Sequence, residues 1–262
     1  MTHPSAATAD QLSLPFMATP FEIMTDVYCL PAWLPVPGAG LLAVNAFLLM
    51  GEEPILVDTG LGMLQDSFMA ALRTLVDPAD IRWIWLSHTD ADHIGNLDAV
   101  LAAAPQAQLV TSFLGQGKLG MMGKLPSNVT LIEDGGVLET RDRGLRAIRP
   151  PYYDAPETLG FADMDGGPLF CGDAFGALLT HNVVRLEAVA PDQLSAGLIA
   201  WAAIDAPWLA LAGHSRFEKV LDALISRAPK ALLSGHLPPA DGRELPRLTT
   251  LALEAQAACG AG

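Results

Sequence analysis

The sequence predicts an α/β fold in which two β-sheets pack face to face with helices on the outside. Three observations lead there. Short, turn-bounded apolar runs fall into two groups, each followed by segments with helical spacing, the element order of two sheets covered by outer helices. Nothing between the groups resembles a linker, so residues 21–262 read as a single domain and residues 1–20 as a flexible N-terminal arm. A chain of 262 residues, 51% of them hydrophobic, can bury a substantial core.

The elements follow in order. Residues 21–24 and 27–30 read as short strands, and 41–50 with 54–57 as a hairpin across Gly51, Glu52 and Glu53. The last of these runs into a Gly-rich loop, Asp58-Thr59-Gly60-Leu61-Gly62. Over 63–76, Leu64, Phe68, Ala71, Leu72 and Leu75 share one helical face. Residues 80–86 make a buried strand, 96–104 a helix ended by Pro105, and 108–111 another strand. Residues 113–126, with four glycines, two adjacent methionines and two lysines, show no regular pattern and read as a mobile flap near the site. The second run of strands covers 128–132, 136–139, 145–148, 158–164 and 168–171. Residues 195–203, 217–227 and 249–258 look helical, the second capped by Ser215 with Glu218 completing a capping box. Strands are expected at 208–211 and 230–234.

Composition narrows the partners. A net charge of −14 without a basic patch makes nucleic acid and anionic membrane surfaces poor partners. Of the two longest apolar stretches, 34–51 is broken by Pro35, Pro37, Gly38, Gly40 and Asn45, and 194–213 contains Asp205 and Pro207, so neither suits a membrane span. Cys29, Cys171 and Cys259 are widely separated and form no C-x-x-C pair, which indicates a reducing compartment. The first 20 residues lack a basic start and an apolar core, so they are no signal peptide, and the cytoplasm is the expected location.

The chemistry is concentrated in His88-Thr89-Asp90-Ala91-Asp92-His93, at the carboxyl end of the 80–86 strand. Imidazole and carboxylate bind divalent transition metals, and four of them within six residues serve no core. In an extended segment residues 88, 90 and 92 point one way while His93 turns to a neighbouring point, a geometry for two adjacent metal ions. Further ligand candidates follow strands. Asp173 lies in Gly172-Asp173-Ala174 after 168–171, His236 after Ser234-Gly235, and Asp154 after the strand at 145–148.

Taken together, Asp58-Thr59-Gly60, Ser87-His88-x-x-x-Asp92-His93, Asp173 and Ser234-Gly235-His236 resemble the metallo-β-lactamase superfamily over residues 21–245. The resemblance implies an αββα sandwich with two metals at one edge between the sheets, and Asp58 bracing the metal loop rather than binding. Hydrolytic members usually carry His-x-His-x-Asp-His, whereas Asp90 stands at the second position here. A carboxylate there is similar to the flavodiiron branch, with His-x-Glu-x-Asp-His and two irons. Cys171-Gly172-Asp173-Ala174-Phe175-Gly176 resembles that branch's Asp-Ala-Phe-Gly segment. Residues 151–159 resemble its Pro-x-x-His-Trp-Pro-Asp-Ser-Met stretch, with Asp154 in place of the histidine.

Carried over, the resemblance gives the first metal His88, Asp90 and Asp154. It gives the second Asp92, His93 and His236, with Asp173 bridging. Four carboxylates balance two divalent ions, and so oxygen-rich a set suits iron or manganese better than zinc. Tyr153 is a substitute ligand or a packed aromatic, His214 a residue behind the ligands or a helix start, and His181 a neighbour of the pocket; His3 lies in the arm.

Three functions are compatible with this set. In the first, a di-iron centre binds or reduces dioxygen or nitric oxide, Asp173 holding the metal pair. The chain ends at Gly262 with no flavin-binding half, so electrons come from a separate donor protein, or the centre senses or carries the gas. In the second, a hydrolase of esters, thioesters or phosphoesters uses a metal-activated water oriented or deprotonated by Asp92. In the third, the domain is a non-catalytic metal binder whose first position is weakened by Asp154. Substrate, donor and oligomeric state, a homo-oligomer included, stay open.

Overall fold

The computed structural model describes residues 14–260. The first sheet begins with β1 (Phe16–Met17) and β2 (Phe21–Met24), both antiparallel to the long strand β3 (Val27–Val36). The arm expected over residues 1–20 therefore needs correcting at its end, because β1 belongs to the sheet; residues 1–13 lie outside the described part. A turn at Gly38, whose φ of 74° suits a residue without a side chain, reverses β3 into β4 (Gly40–Leu49). The expected hairpin across residues 51–53 joins β4 to β5 (Ile55–Val57). From there the sheet is parallel through β6 (Trp83–Trp85), β7 (Gln108–Thr111) and β8 (Val129–Leu131), with α1 (Gln65–Arg73) and α2 (Leu97–Ala103) in the crossovers.

The second sheet has the order β15-β14-β12-β11-β10-β9. Its meander is β9 (Val137–Glu139), β10 (Gly144–Ile148), β11 (Gly160–Asp163) and β12 (Pro168–Phe170). After β13 (Leu178–Leu179), which crosses to pair with β4, come α4 (Pro191–Asp205) and α5 (His214–Ile225). The chain then returns as β14 (Ala231–Ser234), parallel to β12, and β15 (Leu237–Asp241), and ends in α6 (Leu245–Cys259).

Apolar side chains fill both the space between the sheets and their outer faces. Phe47, Val57, Trp85 and Val110 of the first sheet meet Leu145, Phe161, Phe170 and Leu233 of the second, with edge-to-face pairs Phe47–Phe170 at 5.8 Å and Trp85–Phe161 at 5.2 Å. Phe68, Leu72, Leu97 and Val100 cover the outside of the first sheet, and Leu194, Leu198, Phe217, Leu221, Leu248 and Ala252 close the other side. This is the four-layer arrangement that the strand and helix pattern predicts.

Three local expectations are corrected, and one strand is added to them. Residues 113–126 are not a patternless flap: Phe113–Met121 is a helix, α3, started by Ser112, whose hydroxyl accepts from Gly115 N at 3.2 Å. Its glycines hid it, yet Gly115 is required there, since a side chain would meet Thr111. Residues 208–211 form a 3-10 helix, Pro207–Leu211, because Pro207 at its first turn favours helical φ and removes a donor the sheet would need. Gly213, not Ser215, caps α5, and it makes no side-chain cap. Strand β15 has no counterpart among the expected strands; Pro238 and Pro239 disfavour a ladder, yet it lies at the edge of its sheet, where proline is tolerated. Among the described residues no helix is long and apolar enough to cross a membrane.

Candidate metal centre

The parallel pairs β5–β6 and β12–β14 end side by side at one edge of the sandwich, and the loops leaving their carboxyl ends build the centre. After β5, Asp58 adopts φ of 57°, a backbone conformation that aspartate tolerates better than most residues. Its carboxylate accepts from Ser87 N at 2.8 Å and Ser87 Oγ at 2.7 Å, and sits 3.0 Å from His93 Nδ1. After β6 the hexapeptide does not stay extended. His93 N and Ile94 N both donate to Asp90 O, and the turn so made swings Asp92 away from His88 and Asp90. The Gly-rich loop holds this turn: Thr59 N and Oγ1 donate to His93 O, and Asn96 Nδ2 donates to Thr59 O and Leu61 O. Thr89 donates to Glu157 Oε1, which Lys118 of α3 also engages at 2.6 Å.

On the second sheet, Gly235 N donates to Gly172 O, so Asp173 and His236 emerge from adjacent strand ends. Asn45 on β4 locks the two sheets together here. Its backbone N–H donates to Gly235 O, and Nδ2 donates to Ser234 O and Leu237 O. The sequence had shown Asn45 only as an interruption of an apolar run.

These loops bring all seven candidate ligands together, in groups whose ligating atoms lie within 4.8 Å of one another. His88, Asp90 and Asp154 form one group, Asp92, His93 and His236 another, and His88, His93 and Asp173 a third that joins them. The earlier alternation of 88, 90 and 92 on one side is thus corrected by the turn, which hands Asp92 to the second group. Asp173 reaches both ways: Oδ1 lies 3.3 Å from His93 Nε2, while Oδ2 lies 3.2 Å from His88 Nε2 and 3.5 Å from His236 Nε2. Asp92 Oδ2 is 3.6 Å from His93 Nε2 and 3.4 Å from His236 Nε2. His88, His93, Asp173 and His236 are buried, whereas Asp90 and Asp154 are exposed at the rim.

The hydrogen bonds behind the imidazoles decide which nitrogen faces inward. His236 Nδ1 lies 2.7 Å from Ala43 O, which can only accept, and His93 Nδ1 faces the Asp58 carboxylate. Ser87 Oγ gives its proton to Asp58, so His88 Nδ1, 2.9 Å away, must donate to Ser87. Each neutral ring therefore carries its proton on Nδ1 and turns an Nε2 lone pair toward the centre, the arrangement of metal-binding histidines. His88 Nε2, His93 Nε2 and Asp173 Oδ1 are buried without hydrogen-bond partners. Orphaned donor atoms at the meeting point of three imidazoles and a carboxylate fit a bound cation. A side chain at Gly235 would strike Asp173 Oδ1 and His93 Cε1, so this glycine keeps the space clear.

Without metal the same groups share protons. Burial opposes charging His236, yet Asp173 and Asp92 push it up to about 9. His93 and His88 are also raised, against burial, chiefly by Asp173. Burial disfavours ionised Asp173, but His236, His93 and His88 hold it well below the usual carboxylate range. Asp154 is raised by burial and by the charges of Asp173 and Asp90.

Other candidates lie elsewhere. Tyr153 packs between Arg149 and Trp208, its backbone carbonyl accepting from Trp208 Nε1. His214, exposed at the start of α5, pairs with Gln256 Oε1, and His181 with Thr180; neither enters a ligand group. His3 lies outside the described residues. Asp205, which the sequence had shown only as an interruption of an apolar stretch, joins Asp154 and Asp173 in a fourth group.

The model of the ODP family beta lactamase matches residues 42–196, more than half of the chain. The chain belongs to that family. Among curated relatives of this ODP-family chain, a putative diflavin flavoprotein A 1 of Thermosynechococcus vestitus is 32% identical over 56% of the chain and 27% of the relative. A nitric oxide reductase of Moorella thermoacetica is 26% identical over 59% and 38% respectively. The chain thus spans roughly a quarter to two fifths of these curated relatives. Among solved structures, rubredoxin oxygen:oxidoreductase from Desulfovibrio gigas superposes with a TM-score of 0.79 over 90% of this chain and 61% of that one. At 18% identity that likeness shows the fold alone, the two packed sheets with outer helices described above.

Proposed function

We propose that this chain holds two metal ions, iron by preference, and reduces dioxygen or nitric oxide with electrons from a separate donor. The observation that carries the reading is the division of seven side chains into two three-ligand groups joined by Asp173, with unpartnered Nε2 atoms facing inward. His88, Asp90 and Asp154 would hold the first ion, and Asp92, His93 and His236 the second. Bound there, two redox-active ions would supply the electrons that reduce a diatomic gas. Asp173, buried and pinned between three imidazoles, fixes the spacing of the two positions. Asp92, its side chain 25% exposed, stands where the buried centre meets solvent. Asp58 and Ser87 hold the rings in their inward tautomers. The names of the nitric oxide reductase and the oxygen oxidoreductase support this substrate class. Three free cysteines suit the reducing interior in which the protein would work.

The test is metal analysis of protein made with both iron and zinc supplied, followed by gas uptake under a chemical reductant. Two irons per chain, a visible band on oxidation and consumption of dioxygen or nitric oxide are expected. Two zincs with esterase activity and no gas consumption would overturn the redox reading in favour of a hydrolase.

A further inference from the structure

We propose that Asp205 is an additional oxygen ligand of the first metal position, resting on the reading that the centre binds metal. It is the last residue of α4, and a ligating oxygen of its carboxylate lies within 4.8 Å of those of Asp154 and Asp173. Its Oδ2 is buried and has no hydrogen-bond partner among the described residues. A carboxylate there faces two kinds of repulsion. Helix carbonyls at a C-terminus carry partial negative charge, so an acidic last residue is unfavourable on its own element. Across the gap stand two more carboxylates. The His236 and His88 imidazoles of the same centre attract it. A buried carboxylate needs a charged or hydrogen-bonded partner.

A second observation points to the ligand. His88 Nε2, in a ring buried to 1% exposure, has no hydrogen-bond partner and aims between Asp173 Oδ2 at 3.2 Å and Asp154 Oδ1 at 3.9 Å. Asp173 Oδ1 is orphaned beside it. One cation in that gap satisfies the imidazole nitrogen and the converging carboxylates together. The first position then has one nitrogen, from His88, and oxygens from Asp90, Asp154, Asp173 and Asp205. The second keeps two imidazoles. Ligand hardness makes the first position the better place for a harder cation such as Mn(II), and the two positions chemically unequal. The carboxylate that arrives from α4 stands on the side where Asp154, an oxygen ligand with a short arm, approaches from the 150s loop.

The probe is Mn(II), counted in the full-length protein by the loss of the free ion's paramagnetic resonance signal. Wild type is expected to bind two Mn(II) per chain with two distinct affinities. Asp205→Asn, which keeps the shape, and Asp205→Ala should bind one ion as before and the other at least tenfold more weakly. In a His236→Ala background, which disables the second position, Asp205→Asn should weaken the remaining ion by the same factor. The retained ion in the single variants reports that they are folded. Unchanged affinity for both ions in Asp205→Ala and Asp205→Asn overturns the assignment of Asp205 while leaving the metal centre intact. Equal weakening of both ions also overturns it, since a ligand of one position would not do that. Absence of any Mn(II), iron or zinc uptake by wild type overturns the metal-centre reading itself.

Discussion

Asp58 governs more of the centre than any candidate ligand, although it belongs to no ligand group. One carboxylate receives the Ser87 backbone and hydroxyl and faces His93, and through Ser87 it also sets the proton of His88. Asp58→Ala leaves buried donors without acceptors, at about 1–3 kcal/mol each. Loss of the ring orientation weakens metal binding by about 10–100-fold. Denaturant unfolding should therefore show a lower midpoint, and a metal titration a weaker affinity at the positions of His88 and His93. A variant with wild-type metal affinity would show that the rings do not depend on Asp58. The residues that do this work differ in how visible they were. The bracing role of Asp58 came from its motif, whereas that of Ser87 for His88 needed two hydrogen bonds read together.

At the scale of elements, α4 is the piece whose placement the centre feels from outside the sheets. Gly197 lets it lie against β13, for a side chain there would come within 2.0 Å of Leu178 O. That oxygen belongs to a strand paired with β4 and cannot retreat cheaply. Gly197→Ala gains up to about 1 kcal/mol in helix propensity. Overpacking against the backbone costs about 1–3 kcal/mol, and the close approach puts this case at the upper end. The denaturant midpoint should fall, and because Asp205 ends the same helix, metal affinity should fall with it. A midpoint at or above wild type would mean that α4 can shift away without cost. Element by element, apolar runs and helical spacing placed most strands and helices, though not the two-residue strands β1 and β13. What misled was composition: glycines concealed α3, and two prolines concealed β15.

At the scale of the molecule, the centre joins two sheets, because its groups come from the ends of β5 and β6 on one and of β12 and β14 on the other. Bound metal should therefore act as a cross-link. At a free metal concentration about 100 times Kd, one ion adds about 2.7 kcal/mol, or about 5–10 °C in Tm for a chain of this size. Chelator treatment should lower Tm by at least that amount. The pH dependence has opposite signs in the two forms. In stripped protein, His236 is raised from 6.5 to about 9, so its contribution is full below pH 6.5 and lost as pH rises through 9. Asp205 is raised from 3.8 to about 7, and its contribution likewise disappears as pH rises through 7. Asp173 is lowered, so its contribution exists above 3.8 and is lost only on acidification. Metal binding displaces protons, so the stabilisation by metal grows with pH. Thermal scans from pH 6 to 9 should show a widening gap between loaded and stripped protein. A constant gap would rule out proton release at these groups.

The sequence by itself determined the alternation of strands and helices, the four-layer class and the identity of the clustered His and Asp residues. Those are properties of local spacing: apolar periodicity sets what each segment buries, and small flexible residues after strands mark where ligands can stand. The resemblance had already divided the candidate ligands as the structure groups them; how the loop delivers that division was decided only by tertiary structure. A turn closed by two hydrogen bonds to Asp90 O takes Asp92 off the side that an extended segment would share with His88 and Asp90. Asn45 and Asp205 reach the centre across sheet and helix packing, and no spacing along the chain records a contact between residues so far apart in it.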